Sequence, residues 1–499
     1  MNHAQALDAL NLIERSFAVS DLEYCGVPIW PILRIQLGAE LLANDVLDIS
    51  NAVSSKTPPL DLQSLKGYFK ASFKDGKSEA RFTRSSDVLF LGDQLSRTLL
   101  EGSQYDRLCD PLADLYENSG YRTIQFEPLI SFDRFPRHRQ SCLLSRATME
   151  IAANRFRVPR HSRYPAMDRH LLQEVYQSIE DISGQPVRHT ISSLLERVAN
   201  CSRNASIWEA ILERVDPKIV YLVQYYGDMG WALCLACRRR GIPTAELPHG
   251  RQDTSHSAYS RWLNAPSDGY SILPKVFWTW SSFEAKVIDD WSHSLQPQVH
   301  SSFIGGNPFL EAWKQGVLTL PQLPPKNDPD SLDVLATPEF CCYAIDPILE
   351  TIAQAPPNWR WFLRMHPSEY NRREELRDRI SQAGIENAEI DFATDEPLYG
   401  LLSQVDALFT HFSSTILEAK ALGIPSVSFT PISEKLFECE ARSGWLSIAE
   451  GPDACIAALQ RYAQDEIGRE PRPVSGTPWN LKDAIHSLHE TLSVDLPIP

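Results

Sequence analysis

Short apolar runs alternate with amphipathic segments along most of the chain, and the alternation becomes regular from residue 218 onward. Val88–Leu91 is the first clear apolar run. Its length suits a strand covered on both faces of a parallel sheet. Gly92, Asp93 and Gln94 end it; Leu108–Glu117 has helical spacing, Arg122–Phe126 reads as a strand, and residues 167–214 read as two helices. The regular part predicts strands at Lys218–Val223, Ile242–Glu246 and Lys275–Trp280, helices at Gly230–Arg240 and Phe283–Trp291, and a last strand and turn at Phe303–Pro308. Pro321–Asp330, PQLPPKNDPD, has linker composition. A second series opens at Asp333–Ala336. It runs through a helix at Ile345–Ala353, a strand at Trp361–Arg364, a helix at Arg372–Gln382, a strand at Ile390–Phe392 and a helix at Leu398–Leu402.

The sharpest unit lies between Val405 and Phe429. Val405–Phe409 reads as a buried strand, Thr410–Ser414 as a hydroxyl-rich turn and Thr415–Leu422 as a helix. Gly423 and Pro425 stop that helix, and Ser426–Phe429 is the next strand. Leu481–Leu492 is a terminal helix. The expected fold class is α/β: two doubly wound Rossmann-like domains facing across a cleft. Residues 1–84 form a helical lead-in packed on the first domain. Residues 85–320 form that domain with a helical insertion, and 331–499 form the second.

Composition narrows the partners. The 499 residues carry a formal net charge of -16 and 43% hydrophobic residues, as in a globular protein. The acidic balance argues against nonspecific nucleic-acid binding. The amino-terminal MNHAQALDALNLIERSF lacks the basic-then-apolar order of a secretory signal. No run of eighteen apolar residues offers a membrane span. Cys234 and Cys237 sit in the apolar helix WALCLACRRR and read as core residues in a reducing cytoplasm.

Open α/β sheets bind ligands at the carboxyl ends of their strands, which selects the candidate residues. In the second half, Ser413, Ser414 and Thr415 open a helix whose free N–H groups suit an anion. Thr415 and Glu418 also spell a T-x-x-E capping box, which needs no ligand. Pro367 forces His366 into extended geometry at a strand end, and Arg364 beside it adds charge. In the first half, Glu246 and His249 stand at another strand end, followed by a polar loop with Arg251, Asp253, His256 and Tyr259. A carboxylate or imidazole there suits proton abstraction from an acceptor hydroxyl. Asp93 and Asp228 occupy comparable positions and are rival bases. The arginines between Phe132 and Arg163 read as a solvated face, or as a surface for an anionic acceptor or for phospholipid heads at the inner membrane face. No phosphate-binding G-x-x-x-x-G-K-[ST], no G-x-G-x-x-G after the first strand and no G-x-S-x-G is present. Asp328-Pro-Asp330 falls in the linker, so no metal site and no cofactor is expected.

ELPHG with downstream Tyr259, IGGNP, RMHP and THFSSTILEAKALGIPSV occur in that order. Together, over residues 218 to 450, they resemble GT-B-type glycosyltransferases of bacterial surface polysaccharides: capsule Kdo transferases, polysialyltransferases and, more distantly, CDP-glycerol polymerases. Pro248 stands where many such sequences carry Gln. The resemblance implies that His366, Ser413 and Ser414 hold a donor phosphate and that Glu418 holds the donor ribose. It implies a nucleotide-sugar donor as substrate and a glycan or glycolipid acceptor. The alternatives are a nucleotide-sugar epimerase, a glycerophosphotransferase, or a catalytically silent subunit of a polysaccharide-assembly complex.

Overall fold

A computed structural model describes residues 3–50, 84–129, 136–158, 166–250, 252–295, 299–316, 318, 322–326, 328, 331–338, 341–464 and 480–497. Residues 51–83 of the lead-in lie outside them, as do Arg134, Arg160, Arg163, Arg251 and Asp330. The chain divides into two compact units. One comprises Met1–Ser96, Asp106–Phe309 and Pro478–Pro499; the other comprises Arg97–Tyr105 and Leu310–Thr477.

The first unit holds a seven-stranded sheet of β1 (Val88–Leu91), β2 (Thr123–Pro128), β3 (Cys142–Leu144), β4 (Ile219–Val223), β5 (Thr244–Leu247), β6 (Val276–Thr279) and β7 (Ser301–Ile304). The strands pair in parallel in the order β7-β6-β5-β4-β1-β2-β3. Alternate side chains serve opposite faces. Leu89, Leu91, Val220 and Leu222 join one core with the helices His3–Ser16 and Ile191–Val215. Val88, Phe90, Ile219 and Tyr221 join another with the helices Asp110–Asn118 and Leu481–Leu492. Burial on both faces is why these strands read as unbroken apolar runs.

The second unit holds β8 (Asp333–Thr337), β9 (Arg360–Leu363), β10 (Ala388–Glu389), β11 (Ala407–Thr410), β12 (Ser426–Ser428) and β13 (Leu446–Ile448). Their order is β10-β9-β8-β11-β12-β13, again parallel. Val334, Ala336, Trp361, Leu363, Ala407 and Phe409 form its core with Ile348, Ile352 and Leu459 from flanking helices.

Three expectations are corrected. Ile390–Phe392 is not a strand: β10 ends at Glu389, and Asp391–Asp395 is a helix. The Glu389 carboxylate accepts from the N–H groups of Phe392 at 2.8 Å and Ala393 at 2.9 Å and so caps that helix. The terminal helix belongs to the first unit rather than the second. Its Leu481, Ala484, Ile485 and Leu488 pack with Phe90 and Tyr116, and His489 Nε2 lies 2.5 Å from the Tyr116 hydroxyl. The arginine-rich stretch is not simply a solvated face. It contains β3, and its Arg137 pairs at 2.9 Å with the fully buried Glu127, while Arg139 bridges Asp114 and Glu117.

Candidate functional site

In the second sheet the chain builds β8, β9 and β10 outward on one side. It then returns to add β11 against β8 and proceeds the other way. The point between β8 and β11 is therefore a topological switch, where loops diverge and leave a crevice at the carboxyl edge. Hydroxyls line it. Thr337 at the end of β8 donates to Thr410 Oγ1 at 2.7 Å, Thr410 donates back to the Thr337 carbonyl at 2.9 Å, and Thr415 Oγ1 is 3.4 Å from Thr337 Oγ1. Ser413 and Ser414, partly buried, form the turn before the helix Thr415–Ala421. The Ser413 hydroxyl accepts from the Thr415 N–H at 3.3 Å and from the Thr415 hydroxyl.

The T-x-x-E capping box does not form, because Thr415 is already helical and Ser414 precedes it as cap without a side-chain bond. Glu418 is buried and instead accepts from the Tyr399 hydroxyl at 3.0 Å. Tyr399 lies in the helix Leu398–Leu402; nothing in the spacing of the two residues marks them as partners. His366 is exposed beyond β9, where its carbonyl accepts from the Glu369 N–H at 2.9 Å. Arg364 donates Nη1 to the carbonyls of Ala393, at 2.7 Å, and Glu396. It ties the strand end to the helix behind it. His411 is buried with its ring stacked on Phe429, centroids 5.2 Å apart, and burial holds its pKa down to about 4.

The first sheet has its own switch between β1 and β4. Gly92 and Asp93 leave β1 there, and Gln224, Tyr225 and Tyr226 leave β4, with Gln224 left-handed at φ 57°. Asp93 is partly buried; its Oδ1 accepts from the Leu95 N–H at 3.1 Å, and burial, with Glu127 nearby, raises its pKa. Asp228 is exposed and paired to Arg197 at 2.7 Å. Glu246 and His249, three residues apart, have opposite environments. Glu246 is fully buried within β5; its Oε1 accepts from the Tyr259 hydroxyl at 2.6 Å and its Oε2 from Gln252 Nε2 at 3.3 Å. Burial outweighs these bonds and pushes its pKa up to about 8. A neutral carboxyl donates its proton, and the Gln252 amide can accept it when turned over, since its Oε1 has no other partner among the described residues.

His249 stands exposed at the end of β5, its Nε2 3.4 Å from the Tyr226 hydroxyl. The surrounding protein and the Arg107 guanidinium hold its pKa down to about 4, although the residue's own surface stays open to solvent. Its ring is an unprotonated base at neutral pH. Tyr226 and Gln252 are the residues that sequence reading missed; both lie in stretches it did mark, after β4 and within the polar loop. Among the described residues no group of three His, Cys, Asp or Glu side chains is arranged to hold a metal ion, and no helix is long and apolar enough to cross a membrane.

The carboxyl of Glu246 makes a pH prediction. The folded state keeps its proton up to about pH 8 and the unfolded chain loses it near pH 4.5. Between those values the folded state binds more protons, so this group's contribution to stability falls as pH rises and is level above 8. Glu246→Gln removes the dependence. Denaturant titrations should find the variant near native stability below pH 5 and more stable than the native chain at pH 8.5. Parallel curves for the two proteins would show Glu246 ionised when folded.

No family model and no curated protein matches the chain. Solved structures do share its general course. One is UDP-GlcNAc 2-epimerase from Neisseria meningitidis bound to UDP-GlcNAc (13% identity, 81% of this chain and 99% of that one, TM-score 0.47). Another is UDP-GlcNAc 2-epimerase from Methanocaldococcus jannaschii (10%, 81% and 99%, 0.44), and a third is the glycotransferase of kitacinnamycin (13%, 82% and 99%, 0.40). Identities near 12% and TM-scores below 0.5 leave the functional reading to the residues of this chain.

Proposed function

We propose that the chain is a metal-independent glycosyltransferase that moves a sugar from a nucleotide-sugar donor to a hydroxyl of a surface glycan or glycolipid. The observation that carries the reading is the crevice between β8 and β11. It lies at the switch point of a wholly parallel sheet, is underlain by the buried, mutually bonded hydroxyls of Thr337, Thr410 and Thr415, and is bounded by the partly buried Ser413–Ser414 turn. Such a crevice suits a phosphate. His366 lies beyond the adjacent strand, and the buried carboxylate of Glu418 sits one helical turn beyond the Ser413–Ser414 turn, suited to a ribose diol. At the first sheet, His249 is the base for the acceptor hydroxyl and the neutral Glu246 braces the loop around it. Transfer then needs the two reactants held in register while water is kept out.

The direct test incubates the protein with a panel of nucleotide sugars, with and without glycan acceptors, and follows nucleotide release. Acceptor-dependent release supports transfer. Turnover of the sugar without an acceptor supports epimerisation, and neither result supports a silent subunit. Within this reading His366→Ala and Ser414→Ala should each weaken donor binding about ten- to a hundredfold, the loss of one charge-assisted hydrogen bond of about 1.5–3 kcal/mol. Isothermal titration reads it; a variant that binds every nucleotide as tightly as the native chain has no donor role at that residue. Glu418→Gln keeps an oxygen for the Tyr399 hydroxyl, so its melting temperature should stay within about 2 °C while donor affinity falls. The opposite outcome, a lower melt with native affinity, would make Glu418 structural.

A further inference from the structure

We propose that Arg34, in the lead-in helix Ile29–Ser50, is a positioning residue for the carboxyl-edge site of the first sheet, acting through the loop Gln252–Leu263. The proposal rests on the transferase reading above for the meaning of that site.

The loop has no regular secondary structure, yet much of it is buried, so its carbonyls need donors from elsewhere. Arg34 supplies the largest share. Its guanidinium is fully buried and donates to the carbonyls of Ser257, Ser260 (2.9 Å) and Arg261 (3.2 Å). Its Nε bonds Glu14 at 2.8 Å, and its Cζ lies 4.2 Å from the centre of the Trp262 ring. Glu14 closes the clamp: its other oxygen accepts from the Leu263 N–H at 2.8 Å. A planar fork of five donors meets three carbonyls and a carboxylate at once; the point charge of lysine does not. One turn further along the helix, Gly38 brings the backbone against the loop. A Cβ there would stand 2.8 Å from Ser257 Oγ and 3.0 Å from Ser257 Cβ.

The clamped loop is what reaches the site. Tyr259 and Gln252 hold Glu246. The His256 ring packs on Tyr259 at 4.8 Å and on Tyr226 at 5.4 Å, and Tyr226 bonds His249. A continuous series of contacts thus runs from Arg34 to the exposed imidazole. The lead-in helix Ile29–Ser50 braces the loop that holds Glu246.

The test uses the full chain with Arg34→Lys, and Gly38→Ala as a milder push on the loop that leaves every charge in place. Hydrogen exchange and the NMR titration of the His249 ring are read alongside transfer kinetics. In folded variants, amides of the loop should exchange at least tenfold faster while β4 and β5 stay protected. The His249 pKa should move up toward its ordinary value, kcat should fall about tenfold, and donor KM should stay within twofold. Adding Ser257→Gly to Gly38→Ala removes the clash and should restore loop exchange, the His249 pKa and kcat. Loop protection unchanged in both variants, or a loosened loop with native His249 titration, overturns the proposal. A native chain that transfers nothing overturns the transferase reading alone, because exchange and titration decide the clamp without activity.

Discussion

His249→Ala is expected to lower kcat about a hundredfold while leaving the donor KM within twofold. General bases contribute about 10²–10⁴. The low end applies because an imidazole held near pKa 4 is a weak base at neutral pH. The choice of His249 over its neighbours follows from their surroundings. Glu246 is fully buried, has both oxygens engaged and keeps its proton to about pH 8. Asp228 is tied to Arg197. Asp93, at the same edge, is a carboxylate with partial exposure. Its substitution by Asn should cost less than the histidine change, since its Oδ1 is already engaged by the Leu95 N–H at 3.1 Å. The kcat/KM profile should be flat from about pH 5 to 8, because the base is already deprotonated there. A profile that rises through pH 6 to 7, or an Asp93→Asn variant that loses more than His249→Ala, would move the base to another group.

Gly305→Ala is expected to be the most destabilising single methyl in the first unit. A Cβ on Gly305 would lie 1.9 Å from Cε2 and 2.1 Å from Cζ2 of Trp278. That indole is fully buried and donates Nε1 to the Gly306 carbonyl at 2.6 Å. It cannot turn aside without giving up that bond, and Phe303 packs on its ring at 5.4 Å. Overpacking of this kind costs about 3 kcal/mol or more, and a melting temperature lower by about 4 °C or more follows for a unit of this size. Trp278→Phe in the same background should recover part of the loss, because neighbouring changes do not add. Native melting of Gly305→Ala would mean the strand end moves freely. The first glycine of the Ile304-Gly305-Gly306-Asn307-Pro308 run is thus explained by packing, and the second by its left-handed backbone at φ 75°.

Most strands were legible because a strand buried on both faces must be largely apolar, as β1, β4 and the middle of β8 are. Helix stops were equally plain at Gly241 and Gly423, left-handed at φ 70° and 75°. What escaped was structure made of polar contacts. β3 hides inside an arginine-rich stretch because its neighbours serve buried carboxylates rather than solvent. The hairpin of Arg97–Leu100 and Ser103–Asp106 is short and half polar. At the candidate site, the strand ends and the helix that follows β11 were what pointed to Asp93, Glu246, His249, His366, Ser413, Ser414, Thr415 and Glu418. Their state was not readable, because burial of Glu246 and the partner of Glu418 depend on Tyr259, Gln252 and Tyr399, which arrive from elsewhere in the fold.

The helix Leu481–Leu492 has a consequence for how the protein is made. Its apolar side completes the core beneath β1 and β4, yet the ribosome releases it only after the whole second unit. At usual elongation rates the stretch from Phe309 to Leu481 takes on the order of ten to thirty seconds to synthesise. For that interval the nascent first sheet stands with Phe90, Tyr116 and Tyr221 uncovered by that helix, and the second sheet is made in full before the helix follows. Chaperone capture of ribosome-bound chains should therefore peak before residue 492 emerges and fall sharply afterwards.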